Sequence, residues 1–590
     1  MGDNRNLILA FALSFLVLIA WQYFVAKPQM EAEQARIAQQ QAAGGDATDA
    51  LRPTPGAAGT STPNVGTGGA VALPRADALA QSARVAIDTP TLKGSIALTG
   101  ARIDDLALKN YRETVDPDSA NIVLLSPQGS EAPYFAQFGW QVAPGSGIAA
   151  PGPDTRWTVI EGETLAPGQP LVLGWDNGQG LVFRRTISVD DQYLFTVEQS
   201  VQNTGAEDVT LFPYALIRRV GEPVTEGFYI LHEGLIGVLG GSLLEVDYSD
   251  IAEEKTRRVE TTGGWLGITD KYWMTQLVPD QSERFTGEFK YAESANRPVY
   301  QANYIRDGMV VPAGGTAAVT DHLFAGAKIV QTINAYEEQL GIDRFDLTID
   351  WGWFFFLTKP IFYVLDWLFA LVGNFGVAIL LLTVLVKLLF FPLANKSYVA
   401  MSKMKKLQPE MLKIRDRYAE DKMKQQQAMM ELYKTEKVNP LAGCLPILVQ
   451  IPVFFALYKV LFVTIEMRHA PFFGWIQDLS APDPTTIFNL FGLIPWDPPT
   501  FLMIGVWPLL MGITMFVQQR LNPPPADPTQ AKVFLFLPVI FTFVLAPFAA
   551  GLVIYWTWNN LLSIIQQGVI MKRMGVPLEF YVGSKSQPKD

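Results

Sequence analysis

The chain has 590 residues, 49% hydrophobic and only 17% charged, against roughly 25% charged in an ordinary soluble domain, which excludes a wholly disordered chain and argues against a purely soluble enzyme. Three histidines and one cysteine, Cys444, exclude an intrachain disulfide and a zinc site of the usual Cys/His kind. Residues 345–590 hold 21 Lys and Arg against 16 Asp and Glu, a net of +5 within a chain of −11, which leaves −16 on residues 1–344; that split suggests two sides of a membrane rather than a DNA binder.

The first predicted element is a span over Leu7–Ala26, uncharged and long enough for about 30 Å of hydrocarbon at ~1.5 Å per residue. A cleaved signal peptide has an apolar region of roughly 7–15 residues and a small-residue cleavage site. The longer run here ends in Val25-Ala26-Lys27-Pro28, which favours an uncleaved anchor over residues 1–28. Residues 29–80, rich in Gln, Ala, Gly, Thr and Pro, predict a flexible tether because they bury too little apolar surface to offset chain entropy.

Residues 81–343 show short alternating runs with turn signals. Tyr193, Phe195 and Val197 alternate with Leu194, Thr196 and Glu198, and Asn177-Gly178 stands between two strand-like runs. This predicts one large all-β sandwich domain. Its His232-Glu233 and His322 stand isolated in the sequence, which favours packing or surface roles.

Residues 344–374 are aromatic and amphipathic, with Asp350, Lys359 and Asp366 among Trp351, Trp353, Phe354, Phe355, Phe356 and Trp367; they predict a helix lying in the membrane interface over Phe345–Val372. Five further spans fall in 375–575: Val377–Phe391, Leu441–Ile465, Phe501–Val517, Val533–Ala546 and Gly551–Met571. The expected fold class is therefore a polytopic α-helical membrane protein of six transmembrane helices carrying a β domain. The span from Val533 to the bend near Pro547 is short, 14–16 residues, or about 21–24 Å, and predicts local thinning or tilt.

Residues 395–437 hold eleven basic side chains, whereas 467–499 hold Arg468 alone beside Asp478, Asp483 and Asp497. The basic loop is therefore cytoplasmic, as are both termini with the tail over 576–590, and the β domain lies outside. Had 345–372 also crossed, the β domain and the basic loop would share a side. Within 395–438, Met404, Leu407, Met411, Ile414 and Tyr418 follow the 3-4-3-4 spacing of a coiled-coil seam. Glu420-Asp421-Lys422 turns the chain, and Met423, Met430 and Tyr433 continue on the return helix. Pro409 kinks or starts the first helix. The methionines suit an adaptable surface for apolar segments, and equally a self-packed hairpin.

Three local sequences then stand together: Pro440-Leu441-Ala442-Gly443-Cys444-Leu445-Pro446 leading into a span with Gln450 and Pro452; Gly551-Leu552-Val553-Ile554-Tyr555-Trp556 running through Asn559-Asn560 to Gln566-Gln567; and the basic hairpin between spans two and three. The chain resembles the YidC family of membrane-protein insertases, of the YidC/Oxa/Alb superfamily, in the Gram-negative form with a large periplasmic domain. The resemblance implies an inner-membrane insertase with a positive charge in a wet groove, at a position that is Lys387 here where most members have arginine. It implies substrate contact at Ile451, Phe454, Tyr555 and Trp556. It also implies nascent membrane proteins as substrates, the Sec translocon, ribosome or targeting factors and lipid as partners, and a β domain like sugar-mutarotase sandwiches that serves for docking.

On residue grounds, Lys387 lies nine residues before Lys396, about 13 Å along a straight helix. A charge at mid-span costs on the order of 2.5–3.5 kcal/mol, so it faces water or a partner, or snorkels to the headgroups. Thr383 at i−4 extends a polar stripe. Gln450 and Asn559 either line the groove or bond neighbouring helices; Thr464, Thr514, Asn560 and Ser563 are read as helix–helix hydrogen-bonding groups, and Gln518, Gln519, Gln566 and Gln567 are placed at the interface. A lysine, unlike arginine, can lose its proton and has no rigid two-donor fork. No phosphate-binding Gly-x-x-x-x-Gly-Lys-Ser/Thr loop occurs, so no nucleotide hydrolysis, cofactor or metal is expected. A secondary transporter is the main rival, against which stand the lack of paired carboxylates in the spans and of an internal repeat. A membrane-tethered periplasmic sugar-binding protein is the other.

Overall fold

A computed structural model describes residues 72–576, apart from 224, 226–230, 295, 353, 437, 439–444, 492–493, 495, 497, 500–502 and 523–527. The expected anchor over 7–26, most of the tether and the tail lie outside the described residues. The described residues divide into two units, one running to Asp350 and the other from Trp351.

In the first unit, period-2 alternation builds two β-sheets, one of eleven strands and one of nine. Strand Leu194–Asn203 buries Phe195, Val197 and Val201 and leaves Glu198 in solvent, as its alternation requires. It sits in register between Leu181–Val189 and Thr316–Ala327. The Asn177-Gly178 turn joins strands Leu171–Asp176 and Leu181–Val189, with Gly178 at φ 68°. Among the described strands pairing is antiparallel except between Arg84–Asp88 and Thr164–Leu165, and an isolated parallel bridge joins Leu73 to Ser130. Short helices α1 (Arg75–Leu79), α2 (Tyr248–Glu254) and α3 (Val330–Leu340) complete the unit.

The sheets are pinned together by Arg185, which is 1% exposed. Its guanidinium crosses from one sheet to donate to the carbonyls of Ala101 and Phe138 and to Gln199 Oε1, with its plane over the Trp157 ring at 4.8 Å. Among the described residues no carboxylate pairs with it, and burial holds its pKa down to about 10. The hydrogen bonds to fixed carbonyls carry the charge instead.

The expected interfacial segment is divided by the structure. Phe345–Thr348 forms a 3₁₀ turn whose Phe345 is fully buried against the rings of Trp265 and Phe324, and Asp350 accepts a hydrogen bond from the His232 amide. Residues 344–350 thus belong to the β unit, a correction to the reading of one element from 345 to 372. Gly352, at φ 70°, lies just before the helix proper, α4 (Phe355–Val372).

The second unit continues with α5 (Phe375–Leu389), α6 (Phe391–Arg417), α7 (Lys422–Thr435), α8 (Leu445–Val463), α9 (Val506–Leu521), α10 (Pro528–Leu545) and α11 (Ala550–Arg573). By length and composition α4 suffices to cross a membrane, and α5 with α6 passes only as a pair bent by 70°. The apolar stretches Gln450–Val463 and Val533–Leu545 are shorter. On α10, Pro538, Thr542 and Leu545 face inward while Val533, Phe536, Val539, Ile540, Phe543 and Val544 are exposed, a surface that water would not tolerate and lipid does. Helix α10 reaches back to Pro528 and has 18 residues, longer than the 14–16 expected, because its first turn is polar and invisible to a hydropathy reading. Gly512 of α9 admits it closely: a Cβ there would meet Thr542 Oγ1 at 2.1 Å.

The two sequence-isolated histidines of the β unit are paired. His322 Nδ1 bonds Thr196 Oγ1 at 3.1 Å, and burial lowers its pKa. His232 bonds Asp247 at 3.1 Å and the Leu235 carbonyl at 2.9 Å. Burial pulls its pKa down, but Asp247, Glu245 and that carbonyl outweigh it and raise the net value, while His232 holds Asp247 low. His322 therefore contributes stability above about 6.5 that is lost as pH falls below that value, and His232 contributes stability below about 6.5 that is lost as pH rises past it. In urea unfolding monitored across pH, His322→Gln is expected to flatten the acid side of the stability profile and His232→Gln the alkaline side.

Candidate functional site

Helix α5 begins at Asn374, whose side chain accepts from the Val377 amide at 3.0 Å as an N-cap does. Its aliphatic run ends at Leu389: Phe390 leaves helical geometry at φ −91° and ψ 5°, and Pro392 in the first turn of α6 has no amide with which to continue the ladder. Lys387 therefore lies in the last turn of a helix, not mid-way along one that continues to Lys396. The straight-helix depth of about 13 Å does not hold. In this position the negative end of the α5 dipole favours the ammonium by about 0.3–1 kcal/mol.

Lys387 is half-buried, and its Nζ donates to Ser563 Oγ of α11 at 2.7 Å. Ser563 donates on to the Asn559 carbonyl at 2.8 Å, and Ala394 and Tyr398 of α6 pack against Ile570 of α11. One turn along α11, Asn559 Oδ1 accepts from Gln450 Nε2 of α8. Three helices thus meet at one polar seam within otherwise apolar surfaces, with α6 packed against the third. An ammonium has three donors; among the described residues Lys387 bonds only Ser563 and pairs with no carboxylate. A charge so placed requires water or an incoming acceptor for its other donors.

Thr383 is buried, and its hydroxyl donates to the Ile379 carbonyl at 2.7 Å; it satisfies itself within α5. Ile451 is exposed. Phe454 and Trp556 are half-buried and meet edge-to-face at 4.6 Å, worth about 0.5–1.5 kcal/mol beyond burial. Tyr555 is 3% exposed and points into the bundle, away from the face that Ile451 presents.

In the hairpin, Met404, Leu407, Met411, Ile414 and Tyr418 are all half-buried along one face of α6, and Asp421 caps α7 by accepting from the Lys424 amide at 3.0 Å. Tyr433 reaches Met411 Sδ at 3.9 Å. Two details differ from the sequence reading. Pro409 lies inside α6, which starts at Phe391. On α7 it is Gln425, Ala428, Met429, Leu432 and Tyr433 that turn toward α6, whereas Met423 and Met430 are exposed; the return face is set by Gln425, whose amide bonds the Arg415 carbonyl.

The periplasmic-domain family model of YidC matches residues 84–364, and the 60Kd inner membrane protein model matches residues 367–576. The membrane protein insertase YidC of Methylorubrum extorquens (strain PA1) is 55% identical over 98% of this chain and 97% of its own length. The chain belongs to the YidC family of membrane protein insertases. The YidC insertase of Bradyrhizobium diazoefficiens is 54% identical over 99% of both chains. A solved active YidC insertase with its first transmembrane domain resolved is 17% identical, with a TM-score of 0.35 over 82% of this chain and 91% of that one. Family membership makes this chain an inner-membrane insertase rather than an enzyme, with a large β-sheet periplasmic domain followed by a helical membrane region.

The sequence reading named Ser563 only as one polar residue among several and omitted Tyr398 and Lys459. Ser563 carried a signal in its spacing, since Asn559, Ser563 and Gln567 recur at i, i+4 and i+8 and all are buried. Gln567 is accordingly no interfacial residue exposed to solvent: its amide bonds Asn522 at 3.1 Å, tying α11 to the end of α9. Lys459, buried at 9% in α8, packs its stem against Gly352. A double-mutant cycle on Gln450→Leu and Asn559→Leu, read by denaturation in detergent, is expected to give a coupling of about 0.6–1.7 kcal/mol, the range for hydrogen bonds between membrane helices.

Proposed function

We propose that this chain inserts single helices of nascent membrane proteins by a charge relay of position rather than by nucleotide hydrolysis, and that Lys387 is the working group. The observation that carries the reading is an ammonium among membrane helices with one hydroxyl partner and no carboxylate. The exposed methionines Met423 and Met430 of α7 suit first capture of an apolar segment. The short, acidic tail of that segment then supplies the acceptor that Lys387 lacks. As the substrate helix slides along Ile451, Phe454 and Trp556 into lipid, each large apolar residue contributes about 0.3–0.6 kcal/mol, and the sum drives the tail across.

The same reading takes the membrane region as five spans with an N-terminal sixth, and α4 as an interfacial helix. Its inward stripe of Thr358, Ile361, Phe362, Leu365 and Leu368 packs on the bundle while Lys359 and Asp366 sit within its length. Crossing by α4 would put the β domain beside the eleven-cation loop, against the positive-inside rule. The Sec translocon and ribosome or targeting factors are the proposed partners, and Thr383 a positioning residue that stiffens the turn before Lys387.

Purified full-length protein in liposomes, given a single-span substrate with a short acidic tail, tests this by protease protection of the tail. Lys387→Ala is expected to lower protection by about tenfold, the factor that 1.4 kcal/mol gives, and Lys387→Arg to retain it. Empty liposomes matching the native protein would overturn insertion itself, and undiminished protection with Lys387→Ala would remove the lysine from the mechanism.

A further inference from the structure

The segment joining α8 to α9, on the side of the bundle away from the basic hairpin, is tied to three helix N-termini at once. Asp483 is buried; one of its carboxylate oxygens accepts from the Trp507 amide in the first turn of α9 at 2.9 Å, and the other takes the Trp475 indole and the Thr485 amide and hydroxyl. The carbonyls of Leu479 and Ala481 accept from Gly551 and Ala550 at the start of α11, at 2.9 and 2.7 Å. The Phe472 carbonyl accepts from Asn374, the cap of α5, and the Phe472 ring lies where a Cβ on Gly376 would be. Helix N-termini leave unpaired amides; the loop answers those of α9 and α11 and holds the side chain that caps α5.

So clamped, the loop turns its remaining apolar side chains outward. Phe473 is 63% exposed, and Trp475, Phe488, Leu490 and Phe491 are exposed with it. Leu490 and Phe491 are both held in the left-handed region, at φ 51° and 58°, a conformation that bulky residues adopt only when the surroundings impose it. Two of the loop's carboxylates, Asp478 and Asp483, are spent on nearby amides and hydroxyls, so the outward face formed by Phe473, Trp475, Phe488, Leu490 and Phe491 is aromatic and aliphatic.

We infer that this face is a lipid-docking surface, seated at the headgroup–acyl boundary of the outer leaflet. Lipid is the occupant because the loop is fastened directly to the first turns of α9 and α11 through Asp483, Leu479 and Ala481, and because Trp and Phe concentrate at that depth. The inference rests on the reading that the helices of this unit cross the bilayer.

The test uses the full chain with Cys444→Ser, spin-labelled at Phe473→Cys or Phe491→Cys, in vesicles of phosphatidylethanolamine and phosphatidylglycerol. Phe536→Cys on α10 and Ser249→Cys in the β domain serve as lipid and water references. Collisions with oxygen should exceed those with a water-soluble nickel chelate at 473 and 491, with loss of nickel access relative to 249. Nickel access equal to that at 249, or shielding from both reagents with an immobilised spectrum, would overturn the proposal in favour of water or a protein partner. Nickel access at 536 would instead overturn the membrane reading beneath it.

Discussion

The hydrogen bond from Lys387 to Ser563 joins α5 to α11 one turn from the Gln450–Asn559 bond to α8, on a helix against which α6 also packs, and the polar seam of the membrane unit is built around it. Removing a charge from water is costly unless other groups replace its hydration. Three features lower that cost here: the C-terminal dipole of α5, the Ser563 hydroxyl, and a half-buried position that leaves donors free. None neutralises the charge. A buried carboxylate partner would have made a stable structural ion pair and ended any attraction for a substrate tail.

The two units solve the problem of buried charge differently. Arg185 in the β domain is sealed from solvent, and its two terminal nitrogens are held by fixed carbonyls and an amide, so it joins two sheets and is out of reach of a ligand. Lys387 is under-saturated and reachable. The contrast follows from donor geometry: a planar guanidinium matches several fixed acceptors, while an ammonium on a flexible stem keeps its charge available. It also gives physical content to lysine at this position, where the resemblance implies arginine in most members.

Much of this was legible in the sequence. Period-2 runs such as Tyr193–Val201 announced the β domain, and the apolar runs placed α8 and α11 within a few residues. The 3-4-3-4 seam of α6 was visible because one helix face repeats. What stayed hidden depended on contacts between distant segments. Phe345 reads as part of an interfacial aromatic run, yet its ring is claimed by Trp265 and Phe324 across the β domain. The bend after Leu389 was signalled only by Pro392, and missing it misplaced Lys387 along its helix. Met423 and Met430 share composition with the seam but not its phase, since the return helix takes its register from Asp421 and Gln425.

The central claim is that Lys387 faces water continuous with the cytoplasm. In the Cys444→Ser background, Lys387→Cys in inside-out vesicles can be exposed to a membrane-impermeant, positively charged thiol reagent and compared with right-side-out vesicles. The account predicts labelling from the cytoplasmic face alone, with protection when an arrested substrate helix is bound. Labelling only by a membrane-permeant reagent, from either face, would contradict it and leave Lys387 a lysine among lipids.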